Sequence, residues 1–156
     1  MGNIFVPSVS PKDWRKLLAD PRKHWKKGYS ARALAYCWQE ANGFPSSVIR
    51  AFKNSGLDIF SDLVPLFVFP EWKVKLPGGK AASQNDIYVI GKSKDKLMTI
   101  MVEGKVNEPF DKTISEWLHD SSSGKKERLE FLLSLLCINN ANIDRIRYQL
   151  LHRAAS

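Results

Sequence analysis

Residues 83–105 read SQNDIYVIGKSKDKLMTIMVEGK, and their pattern is that of two strands joined by a tight turn. DIYVIG, over 86–91, is one strand, and LMTIMVEGK, over 97–105, is the next. The polar run 92–96 between them is a hairpin turn. LMTIMV is apolar on both faces, which predicts a central, buried strand. Charge enters only at its end, with Glu103 and Lys105. A strand alternates its side chains, so these two project from one face, with Gly104 between them. A turn at Lys94-Asp95 sets Ser93 opposite Lys96 and, counting outward, Asp86 opposite Glu103. A slip of one residue would send Asp86 and Glu103 to opposite faces.

Asp, Glu and Lys converging at one end of a sheet have a clear chemical use. Two carboxylates offer hard oxygen ligands to Mg²⁺ or Mn²⁺, with the Gly104 carbonyl as a third. Such an ion polarises a phosphodiester and acidifies a bound water. Lys105 can hold or deprotonate that water and offset charge in the transition state. Glycine between Glu103 and Lys105 leaves room for a substrate backbone to come close. The rival reading of the same residues is a surface ion pair worth under about 1 kcal/mol.

Outward from this segment, FVF and the alternation Trp72, Val74, Leu76 predict a strand over 66–76, followed by a loop at Pro77-Gly78-Gly79. That loop lacks the helix and GK[ST] context of a phosphate-binding loop. Upstream, Ser10-Pro11 opens a helix that ends at Asp20-Pro21. Ser30 caps a second helix over 31–41, with Leu34, Cys37, Trp38 and Ala41 as its inward stripe. A short third covers 46–54 and closes at Gly56. Downstream come helices over 113–119 and 125–137, the latter with Leu129, Leu132, Leu133 and Leu136 inward. A last helix runs from Asn142 to the end. Helices, a β-meander and helices again predict a mixed α/β (α+β) fold: a hairpin sheet flanked by N- and C-terminal helices, in one domain over 1–156.

At 156 residues the chain fits one domain with a real core. Its formal net charge of +8 favours anionic partners, nucleic acid before an acidic membrane surface. The longest uncharged apolar run, over 63–70, is far short of the roughly 20 residues that a span needs, so no membrane segment is expected. The first residues, MGNIFVPSVSPKDW, show no secretory signal and no myristoylation spacing. The two cysteines, Cys37 and Cys137, sit in helical patterns and read as buried, reduced thiols of a cytoplasmic protein. With three scattered histidines they form no zinc spacing.

Acid, strand, turn, strand and ExK in this order resemble the PD-(D/E)xK nuclease superfamily, the restriction-endonuclease-like proteins. Asp86 matches the first acid, Glu103 the second and Lys105 the lysine; Gln84-Asn85 stand where many members have a proline. The resemblance implies a restriction-endonuclease-like core and Mg²⁺-dependent phosphodiester hydrolysis of nucleic acid. It also implies a further acid from a helix ahead of the sheet, for which Glu40 is the candidate; Glu108 is an alternative acid, its rival reading a turn residue before Pro109. The segments HWKKGYSARALA, SQNDIYV, VEGKVNEPF and IRYQLLHR are similar to an uncharacterised bacterial family of nuclease-like domains whose chains continue past the position of Ser156. Some superfamily members place a glutamine a helix away from ExK. Gln149 is the candidate for it, although the Q-xxx-Y pattern of one nuclease branch is not met; it shares one predicted helical face with Arg145, His152 and Arg153, the last two suited to holding a phosphate, and the rival reading is a solvated basic face.

Two further readings stand beside the nuclease. One is a catalytically inactive nucleic-acid-binding module on the same fold. The other is a basic domain that binds a protein partner. For either nucleic-acid reading, Arg22, Lys23, Lys26 and Lys27 are the phosphate-contacting candidates. They belong to a basic run, residues 12–32, that also holds Lys12, Arg15, Lys16 and Arg32. Trp14, Trp25 and Tyr29 interleave with these charges, as stacking platforms or as core anchors.

Overall fold

The structure is a computed structural model that describes residues 4, 6, 8–139 and 142–156. Most of the N-terminal stretch read for targeting signals, residues 1–3, 5 and 7, lies outside the described residues. The fold is mixed α/β, with a three-stranded antiparallel sheet and several helices. By its contacts the chain forms two compact units: Met1–Trp72 with Asp86–Glu108, and Lys73–Asn85 with Pro109–Ser156. Among the described residues no helix is long and apolar enough to cross a membrane.

The first unit opens with a 3₁₀ turn over Pro11–Lys16, not the longer helix expected. Asp13 draws the backbone N–H groups of Val9 and Ser10 onto one carboxylate oxygen, which holds the chain in that tighter turn. Asp20-Pro21 then starts a helix as well as ending a segment. The Asp20 carboxylate accepts from the N–H groups of Arg22 and Lys23, and Pro21 takes the first position of α1 (Pro21–His24). Helix α2 spans Ser30–Gln39 and α3 spans Ser46–Ser55, closed by Gly56 in the left-handed conformation at φ 67°.

The sheet runs β1 (Val64–Val74), β2 (Ser83–Ser93) and β3 (Lys96–Val102), in that spatial order. β2 is therefore the central strand, and β3, expected to be central, is an edge of the described sheet with Leu97 71% exposed. In a meander the middle strand of the sequence takes the middle of the sheet, whatever the apolarity of its neighbours. β2 alternates strictly: Asn85, Ile87, Val89 and Gly91 are buried, while Asp86, Tyr88 and Ile90 are half-exposed on the other face. Ile87 and Val89 pack with Trp14, Ala35, Trp38 and Val68 in the first unit's core, joined by Met98, Ile100 and Val102 of β3. Glu71 has a positive φ of 55° and breaks the alternation of β1. Phe69 and Trp72 consequently both reach the ring of Tyr88 on the open face.

The inward line of α2 is Ala31, Ala35 and Trp38, one step round from the expected stripe. Trp38 belongs to both lines, and its bulk sets the rotation. Cys37 is thereby turned outward and exposed, and Cys137, just past the end of α5, is exposed too; neither is a buried thiol.

The second unit has its own core of Leu76, Ile114, Leu129, Leu132, Tyr148 and Leu151. α4 (Ile114–Leu118) starts at a capping box in which Thr113 and Glu116 bond each other's backbone N–H. α5 (Ser123–Leu135) turns Leu129 and Leu132 inward as expected, with Leu133 and Leu136 partly buried beside them. The Pro77-Gly78-Gly79 loop lies on the start of α5. Arg128 donates to the carbonyls of Leu76, Pro77 and Ala81, and a Cβ at Gly78 would overlap the Gly124 carbonyl oxygen. α6 spans only Tyr148–Ala154. Residues 144–148 are held instead in backbone pairing with 112–115, through Ile114 N–H to Ile146 O and Tyr148 N–H to Lys112 O. Asn142 therefore caps a turn at Asp144, not a helix, and Arg145 leaves the helical face assigned to it.

Candidate active site

The β2–β3 ladder runs from Ser93↔Lys96 at the turn to Ile87↔Val102 at the far end. This is the register expected from a turn at Lys94-Asp95. β3 ends at Val102, short of the strand expected over 97–105, so Glu103, Gly104 and Lys105 follow the ladder rather than belong to it. The Asp86 carboxylate accepts a hydrogen bond from the Gly104 N–H at 2.7 Å, so it reaches the backbone of the ExK segment. Glu103 and Lys105 meet each other, Nζ to Oε1 at 2.9 Å, with side chains only 12% and 22% exposed. Gly104 faces the other way: a Cβ there would stand 2.6 Å from Leu34 Cδ1 on α2. The glycine thus admits the helix. Its close approach is to Leu34, where the sequence suggested room for a substrate.

Among the described residues no three His, Cys, Asp or Glu side chains gather closely enough to hold a metal ion. Glu40 accordingly does not join Asp86 and Glu103. It is the exposed C-cap of α2, turned away from the buried line of Ala31, Ala35 and Trp38. Asp86, Glu103 and the Gly104 carbonyl are hard oxygen donors, the type that Mg²⁺ or Mn²⁺ takes.

Glu108 has a different task. Its carboxylate accepts from the backbone N–H of Ser30 at 2.6 Å, from the Ser30 hydroxyl at 2.8 Å and from the Val106 N–H at 3.1 Å. Partial burial pushes its pKa up, but these hydrogen bonds outweigh that and bring it from 4.5 to about 2. Ser30 is thus the first residue of α2 rather than its cap. Tyr29 holds the cap position without a side-chain bond, and Glu108 satisfies the helix start. Nothing near Ser30 in sequence signals this, because the partner lies 78 residues away.

The other predicted residues fall in two places. Gln149, His152 and Arg153 lie on α6 in the second unit. His152 Nδ1 and Arg153 both bond the Ser83 hydroxyl, at 3.0 and 2.7 Å, and the His152 ring stacks on Tyr148. Gln149 is buried. Arg22, Lys23, Lys26 and Lys27 are exposed in the first unit, with Lys26 over the ring of Tyr29 at 5.9 Å. Trp14 is a core residue whose indole N–H donates to Gln39, which leaves it no stacking face.

A family model described as a domain of unknown function, DUF6946, matches residues 7–156. The chain belongs to the DUF6946 family. No curated protein and no solved structure matches it. Membership spans both units of the DUF6946 chain, and the hairpin end with Asp86, Glu103 and Lys105 lies inside the matched residues.

Proposed function

We propose that the chain is a Mg²⁺- or Mn²⁺-dependent nuclease of the PD-(D/E)xK type, with a restriction-endonuclease-like core and Asp86, Glu103 and Lys105 as its site. The observation that supports the proposal is the bond from the Gly104 N–H to the Asp86 carboxylate, which ties the residue just before the ladder's end at Ile87↔Val102 to the ExK segment just past it. The divalent ion supplies Lewis acidity and an acidified water when bound. Asp86 and Glu103 hold and orient it. Lys105, as an ammonium, would donate to and orient the water beside the phosphodiester and offset negative charge as the bond breaks. Nucleic acid as the substrate fits the +8 charge of the chain.

A second reading has its own observation. The Lys105–Glu103 ion pair at 2.9 Å engages the lysine with one of the two proposed ligands, as it would in a non-catalytic module that binds nucleic acid on the same fold. Cleavage of labelled DNA and RNA with Mn²⁺ separates the two, since Lys105→Ala should abolish cleavage and leave binding intact. Thermal melts in Mg²⁺ add a second readout. The wild type should be stabilised by mass action and Glu103→Gln much less. Identical shifts in both proteins would count against the metal site.

A further inference from the structure

Helix α2 has two flanks beside its buried line. Leu34, on one, meets Gly104. Arg32, Tyr36 and Gln39 follow each other on the other, and Gln39 accepts the Trp14 indole N–H from the 3₁₀ turn. On that second flank Lys12, Arg15, Lys16, Arg22 and Arg32 surround a cleft of about 840 Å³, with Trp25 and Tyr36 in its wall. No carboxylate is among the described residues that line it. Lys16 pairs with Asp13 at 3.1 Å, while Lys12, Arg15, Arg22 and Arg32 form no ion pair among the described residues. Five cations around one concavity repel each other and focus a positive field into it, so its natural occupant is an anion.

The side chains narrow the class of anion. Three of the five are arginines, whose planar forks match phosphate oxygens two at a time. The Arg32 guanidinium lies 5.7 Å from the centre of the Tyr36 ring, and that ring is 37% exposed. A cation over an open aromatic face suits a nucleobase stacked beside its own phosphate. The volume is at the upper end for a small-molecule pocket and accommodates more than one nucleotide. We propose that this cleft binds a short run of single-stranded nucleic acid, phosphates on Arg15, Arg22 and Arg32 and a base against Tyr36. A paired duplex keeps its bases stacked and gives Tyr36 nothing to hold. The inference rests on the nuclease reading only for the choice of nucleic acid; the cleft stands on its own charge and shape.

The test is equilibrium binding of fluorescent oligothymidylate and oligouridylate in EDTA, where no cleavage occurs and failure of the nuclease reading cannot interfere. Arg15→Ala/Arg22→Ala/Arg32→Ala should weaken binding and flatten the slope of log K against log salt by about 2 units, at roughly 0.7 for each single-strand phosphate contact. Tyr36→Ala should cost about tenfold in affinity with the salt slope unchanged, because stacking is not a charge contact. Exposed Arg22→Glu is the control should the triple variant melt early. Inorganic phosphate, a mononucleotide and poly-glutamate serve as competitors. The proposal is overturned if the triple variant and Arg22→Glu both bind as wild type, if a mononucleotide binds as tightly as the oligomers, or if poly-glutamate displaces them equally well.

Discussion

Glu108 anchors the first turn of α2 through Ser30, and its pKa of about 2 makes that anchor pH-dependent. The folded pKa lies below the ordinary 4.5, so the stabilisation is complete above that value and is lost as pH falls from about 4.5 toward about 2. Glu108→Gln should cost about 1–2 kcal/mol at neutral pH, as for a lost helix cap. Its melting-temperature deficit should shrink steadily as pH falls toward about 2, where the wild-type carboxyl is half protonated. A deficit constant from pH 7 to pH 2 would show that ionisation plays no part. Gly104 makes a steric prediction. In Gly104→Ala the new methyl must displace Leu34 Cδ1, at a cost of about 1–3 kcal/mol for overpacking. Adding Leu34→Val should recover part of that loss, since the two sites share one contact. Additive losses in denaturant melts would remove the contact from the explanation.

At the scale of elements, the hairpin turn holds Lys94 at a positive φ of 55°. A side chain there costs about 1 kcal/mol, so Lys94→Gly should raise stability by up to about that amount. A drop in melting temperature would mean that the Lys94 side chain makes a compensating contact. The hairpin and its register were legible in the sequence because a polar turn separates two apolar runs and the pairing follows by counting. The α5 face was legible for the same local reason, its leucines recurring at helical spacing. Elements whose form depends on distant partners were not legible. The start of α6 is displaced by pairing of residues 144–148 with 112–115, and the start of α2 is held by Glu108. The α2 stripe was misread by one step because Trp38 fits either line. That step decides the state of Cys37, so both cysteines of the native protein should react fully with a thiol reagent. Protection of Cys37 would restore the other rotation. At the candidate site, the hairpin places the ladder as far as Ile87↔Val102, while Glu103 and Lys105 follow the end of β3, where strand alternation no longer fixes them. Glu40 could not be placed from it, because a helix's rotation is not fixed by a strand's period.

For the whole molecule, the +8 charge is spread unevenly. Arg15, Arg22 and Arg32 converge on the cleft, whereas Lys23 and Lys27 are exposed outside its lining. Neutralising the three arginines should therefore flatten the salt dependence of nucleic-acid binding more than neutralising Lys23, Lys26 and Lys27, although each set removes the same charge. Equal effects would make the charge a diffuse field rather than a site. The central claim concerns the other flank of α2, where Asp86, Glu103 and Lys105 lie at the end of the hairpin. Its most direct test is single-turnover cleavage of end-labelled single-stranded DNA and RNA in Mn²⁺ by wild type, Glu103→Gln and Lys105→Ala, with affinity measured in parallel. The account predicts cleavage by the wild type, lost by at least about 100-fold in both variants while binding stays within about twofold. Cleavage undiminished in both variants, or none by the wild type while it binds the strand, would contradict it.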